Sequence, residues 1–236
     1  MIKLERTSVM NFDGAIRGMR NPMNSWDKSD SDFSDECHCQ DQDRCEDCKY
    51  FVGFGVRCVP YIGENDLGLA RKLIKAGSDH RKFLRQIFVS VDIVAPLYWW
   101  KEMDTYKVGT VANSCSTMHK IHTKEFTFDD FSHEHLYSRL GESYEAMDCL
   151  VDIIDCLNKY RSLYIETKDK LWWWQMIQLL PSSYNQLRTV TLSYETLLNQ
   201  YHARKHHKLD EWHAYCDWIE TLPYFKEMCL EDNDNG

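Results

Sequence analysis

The chain has 236 residues, 43% hydrophobic and 28% charged, with a net charge of −9. That is enough length and apolar content for a packed core. It excludes a membrane-spanning helix, since no apolar run approaches about 18 residues, and disfavours a tight, sequence-independent grip on a nucleic-acid backbone, leaving room for a local basic site for a small anion.

The first residues, "MIKLERTSVM", alternate as a strand through Ile2 and Leu4. "DGAIRGMR" predicts a short helix with Asp13 as its N-cap. No apolar signal core is present here, which predicts the cytoplasm, where the ten cysteines are thiols or metal ligands. The polar stretch that follows reads as loop, and a Cys-rich insertion occupies about 27–60.

"ENDLGLARKLIKAG" places Leu67, Ala70, Leu73 and Ile74 at helical spacing, with Gly77 ending the helix. "IFVSVDIVAP" is the clearest strand. Ile87, Val89, Val91 and Ile93 face one way and Phe88, Ser90 and Asp92 the other, and Pro96 stops the pairing. A helix over Leu97–Tyr106 follows, then a loop at Gly109 and a second polar strand or turn.

"SYEAMDCLVDIIDCLNKYRSLYIE" carries Met147, Leu150, Val151, Ile154 and Leu157 on one stripe. "LWWWQMIQLLPSSY" reads as a buried helix ending near Pro181. Another helix turns Tyr194, Leu197, Leu198 and Tyr201 inward, a last one runs over Leu209–Ile219, and "CLEDNDNG" reads as a frayed tail. With no internal repeat, the sum is a single α+β domain: a small antiparallel sheet with several long helices.

The run C-x-C-x5-C-x2-C, made of Cys37, Cys39, Cys45 and Cys48, offers four soft ligands suited to a structural zinc ion. The alternative is an acidic insert with unliganded thiols. His119, His122, His133 and His135 lack a partner at diagnostic spacing and fit surface or capping roles. "HARKHHKLDEW" concentrates positive charge on an acidic chain, either as a solvated helix end or as a phosphate grip through Arg204. There is no glycine-rich phosphate loop, no G-x-S-x-G and no HExxH. Cys115 reads as a buried, inert thiol.

Three segments in order resemble the flavin-dependent thymidylate synthases: "HRKFLRQIFVSVDIVAP", "TYKVGTVANSCSTMH" and "MIQLLPSSYNQLRTVTLSYETLLNQYHARKHHKLDEW". The resemblance covers roughly Ile2–Ile219 without the insertion. The family signature holds an Arg-His-Arg, an Asn-Glu, a Ser and an Arg-Tyr. At those places this chain has Thr105-Tyr106-Lys107, Asn113-Ser114, Ser116 and Met118-His119.

The resemblance implies reductive methylation of dUMP, or a related pyrimidine nucleotide modification, using FAD, NADPH and methylenetetrahydrofolate in a homotetramer. It implies cofactor contacts from His80, Arg81, Tyr106, Lys107 and Asn113. Substrate contacts fall to Lys101, Ser116, His119, Arg188 and Arg204, with Lys120 a further cation nearby. Lys107 and Arg204 would hold phosphate, Asn113 and Ser116 the pyrimidine or sugar. Tyr106 and Trp100 would stack on a ring, though Trp100 also fits a helix core. No protein nucleophile, membrane contact or sequence-specific nucleic acid is implied. The replaced arginines keep two alternatives open: a non-catalytic nucleotide-binding protein on the same fold, and an interaction protein whose zinc loop holds a partner.

Overall fold

The computed structural model describes residues 2–33, 60–137 and 145–230. Cys37, Cys39, Cys45 and Cys48 lie outside them, as does the tail beyond Leu230.

The strands are β1 (Lys3–Met10), β2 (Phe88–Pro96), β3 (Thr110–Ser114) and β4 (Asn185–Ser193). They form one antiparallel sheet in the order β1-β2-β4-β3. The helices are α1 (Phe12–Arg20), α2 (Glu64–Lys75), α3 (Leu97–Met103), α4 (Ala146–Thr167), α5 (Lys170–Leu179), α6 (Tyr194–Arg204) and α7 (Asp210–Thr221). No helix among the described residues is long and apolar enough to cross a membrane. The residues group into two compact units, each assembled from separate stretches of chain.

The first unit comprises Met1–Lys3, Asp92–Thr105 and Ala112–Thr189. Its core is an apolar cluster of Ile121, Phe126, Phe131, Leu150, Ile154, Leu157 and Met176, where α4 packs along α5. The end of β2 runs straight into α3. The first turn of that helix donates its backbone N–H groups outside the helix, from Leu97 to the Tyr184 carbonyl and from Tyr98 to the Ser182 carbonyl, both at 3.0 Å. Helix α3 thereby satisfies donors that have no intrahelical acceptor.

Two expectations are corrected in this unit. Val151 is exposed, and Ile153 takes its place against the cluster. Helix α5 is not buried: Leu171, Trp174 and Leu179 are 52%, 42% and 45% exposed. The helix is apolar on nearly every side, yet only one face meets the cluster.

The second unit comprises Leu4–Val91, Tyr106–Val111 and Val190–Gly236. Ile87, just before β2, and Val89 and Val91 within it are fully buried, as the alternation predicts. Edge-to-face contacts join Phe12 to Tyr194 and Tyr224, and Tyr194 to Phe225. At the end of α1, the buried Arg20 donates from Nε to Asp66 Oδ1 at 2.6 Å. Ser29 and Ser31 donate to the other oxygen of the same carboxylate, so its lone pairs are satisfied.

Asp13 does not cap α1. Asn11 holds that position with φ 70°, and its amide donates to the Gln86 carbonyl at 2.8 Å rather than capping the helix through its side chain. Asparagine tolerates this left-handed backbone better than most residues. Tyr201 is half-exposed, its hydroxyl donating to Glu220 at 2.7 Å.

Candidate functional site

A cleft of about 590 Å³ opens in the second unit beside the first turn of α6. Ser193 caps that helix, its hydroxyl accepting from the Thr196 N–H at 3.3 Å. The cap fixes where Glu195 emerges. Facing it, a 3-10 turn at Lys82–Arg85 buries Phe83 and Leu84 and leaves Arg81 and Arg85 on the cleft side.

Both arginines converge on Glu195. Arg81 donates from Nε to Oε1 at 3.3 Å, and from its terminal nitrogen to Asn199 Oδ1 at 3.0 Å. Arg85 forks onto both carboxylate oxygens. Burial acts to raise the pKa of the Glu195 carboxyl. The hydrogen bonds and charges of Arg85 and Arg81 outweigh it and hold the carboxyl below its ordinary value. Two guanidinium groups thus share the Glu195 carboxylate, and the charge of Asp79 also acts on Arg85. Gly109, with φ +71°, forms part of the wall; a Cβ there would stand 3.1 Å from Thr196 Oγ1. The half-exposed ring of Phe88 supplies an apolar surface.

The far end of α6 carries Arg204. Its Nε donates to the Tyr106 hydroxyl at 2.9 Å. Its guanidinium also lies over two rings, 5.5 Å from the Tyr106 centroid and 4.8 Å from that of Trp212. The stretch Tyr106–Val111 therefore meets α6 twice, at Arg204 through Tyr106 and at Thr196 through the Val108 carbonyl. Lys107 and His80 are exposed and do not line the cleft.

The remaining predicted residues belong to the first unit. Arg188 is held on three sides: Nε donates to Gln186 at 2.9 Å, Nη1 to Asp104 at 2.6 Å, and the guanidinium lies 4.1 Å over Trp100. Trp100 itself is buried, its indole N–H donating to the Gln186 carbonyl at 3.0 Å. Lys101, Asn113, Ser116, His119 and Lys120 are exposed. The Ser116 hydroxyl accepts from the backbone N–H of His119 at 2.9 Å, which shapes the turn after β3.

Cys115 is exposed rather than buried. His133 bonds the Phe131 carbonyl at 2.8 Å, while His122 packs on Tyr164, so the histidines do not converge. Among the described residues no group of three or more His, Cys, Asp or Glu side chains is placed to hold a metal ion.

Arg85, Glu195 and Asn199 were not predicted as site residues. The only signal for them was Arg85 at the end of the "HRKFLR" turn, one helical turn beyond Arg81.

Among solved structures, the chain is similar to thymidylate synthase X from Helicobacter pylori with FAD and dUMP. Identity is 13% over 98% of each chain, with a TM-score of 0.61. A second structure of the flavin-dependent thymidylate synthase of that organism, complexed with FAD and dUMP, matches at 14% identity, the same coverage and a TM-score of 0.62.

The chain has the flavin-dependent thymidylate synthase fold.

The UMP/dUMP methylase PolB from Streptomyces cacaoi, bound with 5-Br UMP, shares that fold with this chain at 12% identity. The match spans 97% of this chain and 92% of that one, at a TM-score of 0.56. No protein-family model matches the chain, and no curated protein does. What carries the likeness is three-dimensional arrangement rather than residue identity.

Proposed function

We propose that the protein is a flavin-dependent enzyme that methylates a pyrimidine nucleotide, with dUMP as the substrate and FAD, NADPH and methylenetetrahydrofolate as co-reactants. The observation that carries this reading is the likeness of fold over 98% of both chains to enzymes solved with FAD and dUMP.

The cleft beside α6 fits a phosphate-bearing cofactor with a flat ring. It has two guanidinium groups, the hydroxyls of Ser193 and Thr196, a glycine wall where a side chain would intrude, and the ring of Phe88. Arg81 and Arg85 would hold the FAD pyrophosphate, with His80, Tyr106, Lys107 and Asn113 as the further contacts implied by the resemblance. When bound, FAD supplies hydride chemistry that no side chain can. The chain's own residues bind and orient. Glu195 keeps the two guanidinium groups directed, and Arg204 presents a planar cation suited to a nucleotide phosphate. Lys101, Ser116, His119 and Arg188 are the further substrate contacts that the resemblance implies.

The test is product formation. Protein incubated with dUMP, FAD, NADPH and methylenetetrahydrofolate yields dTMP by mass spectrometry. No dTMP, from protein that binds both FAD and dUMP, overturns the methylation.

A second reading is a nucleotide-binding protein that has lost flavin chemistry. It is favoured by Thr105, Tyr106 and Lys107 at the signature's Arg-His-Arg, and by the commitment of Arg188 to Asp104, Gln186 and Trp100. It predicts a thermal shift with dUMP and none with FAD.

A further inference from the structure

Many of the cations that pack against the fold are matched by acids. Arg20 meets Asp66, Arg81 and Arg85 meet Glu195, Lys124 meets Asp130, Arg188 meets Asp104, and Lys226 meets Glu220. Among the first-unit cations without such a partner, four lie together. Among the described residues, no carboxylate lies within ion-pair distance of Lys120, Arg161, Lys168 or Lys170.

These four belong to one patch. Arg161 donates from Nε to the His122 carbonyl at 3.0 Å, just beyond Lys120. The His122 ring lies edge-on to Tyr164 with centroids 4.9 Å apart, in the last turn of α4 before Lys168. Trp173 donates its indole N–H to the Met118 carbonyl at 2.8 Å, which ties α5 to the same segment. Lys170 Nζ stands 5.9 Å from the Trp173 ring and 5.6 Å from the Trp174 ring. Burial lowers the pKa of His122, and the charges of Lys168, Lys120 and Arg161 push it the same way. Its Nδ1 is buried without a hydrogen-bond partner. Asp169, between Lys168 and Lys170, is turned to its own helix, where it caps α5 by accepting from the Leu171 N–H, and it pairs with none of the four cations.

Like charges held together repel, and an anion relieves that cost. A single phosphate needs fewer cations than this. The exposed indole of Trp174 adds a surface on which a flat ring stacks, with a lysine beside it. Spaced cations bordering an exposed aromatic match a chain of phosphates carrying bases. We infer that this patch binds single-stranded nucleic acid without preference for base sequence, with phosphates on Lys120, Arg161, Lys168 and Lys170 and a base on Trp174. The net charge of −9 averages over this patch and conceals it. The same net charge limits contact to the patch and makes binding strongly dependent on salt. The inference stands apart from the flavin reading.

The experiment is fluorescence anisotropy of the full chain with a labelled oligothymidylate of about ten nucleotides, at about 50 mM salt and upward. Binding is expected, weakening with salt. Lys120→Glu combined with Lys168→Glu is expected to weaken it about tenfold or more and to flatten the salt slope. Trp174→Ala is expected to weaken it about tenfold, with unchanged thermal melting as the check on folding. Four results overturn the inference: no binding at low salt, variants that bind like the parent, displacement by millimolar dUMP, or Trp174-dependent self-association without oligonucleotide binding. The last would make the face a contact between copies.

Discussion

Arg204 donates a 2.9 Å hydrogen bond to the hydroxyl of Tyr106, a residue standing where the thymidylate synthase signature carries histidine. The bond engages one edge of the guanidinium, and the rings of Tyr106 and Trp212 orient its plane. Arg204→Ala is therefore expected to weaken dUMP binding about tenfold or more, as loss of a charge-assisted contact does. Tyr106→Phe keeps the ring and removes only the acceptor, so it is expected to change binding by less than about fivefold. Isothermal titration with dUMP separates the two; equal losses would show that Arg204 acts only as packing.

The Glu195 cluster predicts an order of stabilities. Arg81→Ala removes a partly buried bond to Glu195 and an exposed one to Asn199, and is expected to cost about 1–2 kcal/mol. Arg85 is half-exposed, and Arg85→Ala is expected to cost less than about 1 kcal/mol. Urea titration reads both, and the reverse order would contradict the geometry. Both variants are also expected to reduce the thermal shift produced by FAD.

The buried pair of Arg20 and Asp66 predicts an acid-sensitive fold. Burial alone would raise the pKa of the Asp66 carboxyl, but hydrogen bonds from Ser29, Ser31 and Arg20, with the charge of Arg20, hold it below its ordinary 3.8. A lowered carboxyl pKa stabilises the fold above that ordinary value, and the contribution is lost as pH falls through the lower, folded one. Asp66→Ala leaves Arg20 buried without its anion, and is expected to cost about 3–5 kcal/mol at neutral pH. The gap in melting temperature between parent and variant is then expected to close under strong acid. A gap that stays constant into acid would contradict the assignment.

Cys37, Cys39, Cys45 and Cys48 carry a prediction from spacing alone. A zinc site there would give one zinc ion per chain by atomic absorption, lost in a Cys45→Ser, Cys48→Ser variant, whereas an acidic insert with unliganded thiols would give none. Metal-free protein with intact folding would reject it.

Strands and helices were legible because period and punctuation report local structure. Ile87, Val89, Val91 and Ile93 alternate into the core, and Gly77, with φ +103°, ends its helix. The candidate site was legible only in part, since which acid a cation meets is settled in space. Arg85 and Glu195 lie 110 positions apart, and no spacing rule joins them. Helix α5 misled because an apolar sequence shows what can be buried, not how many neighbours arrive to bury it. Asn11 displaced Asp13 as the cap because its side chain found the distant Gln86 carbonyl.

The proposed activity requires that the chain bind FAD. The most direct measurement is the absorbance spectrum of the purified protein. A band near about 450 nm, with FAD released on denaturation, is the expected result. Colourless protein that cannot be reconstituted with added FAD would contradict it.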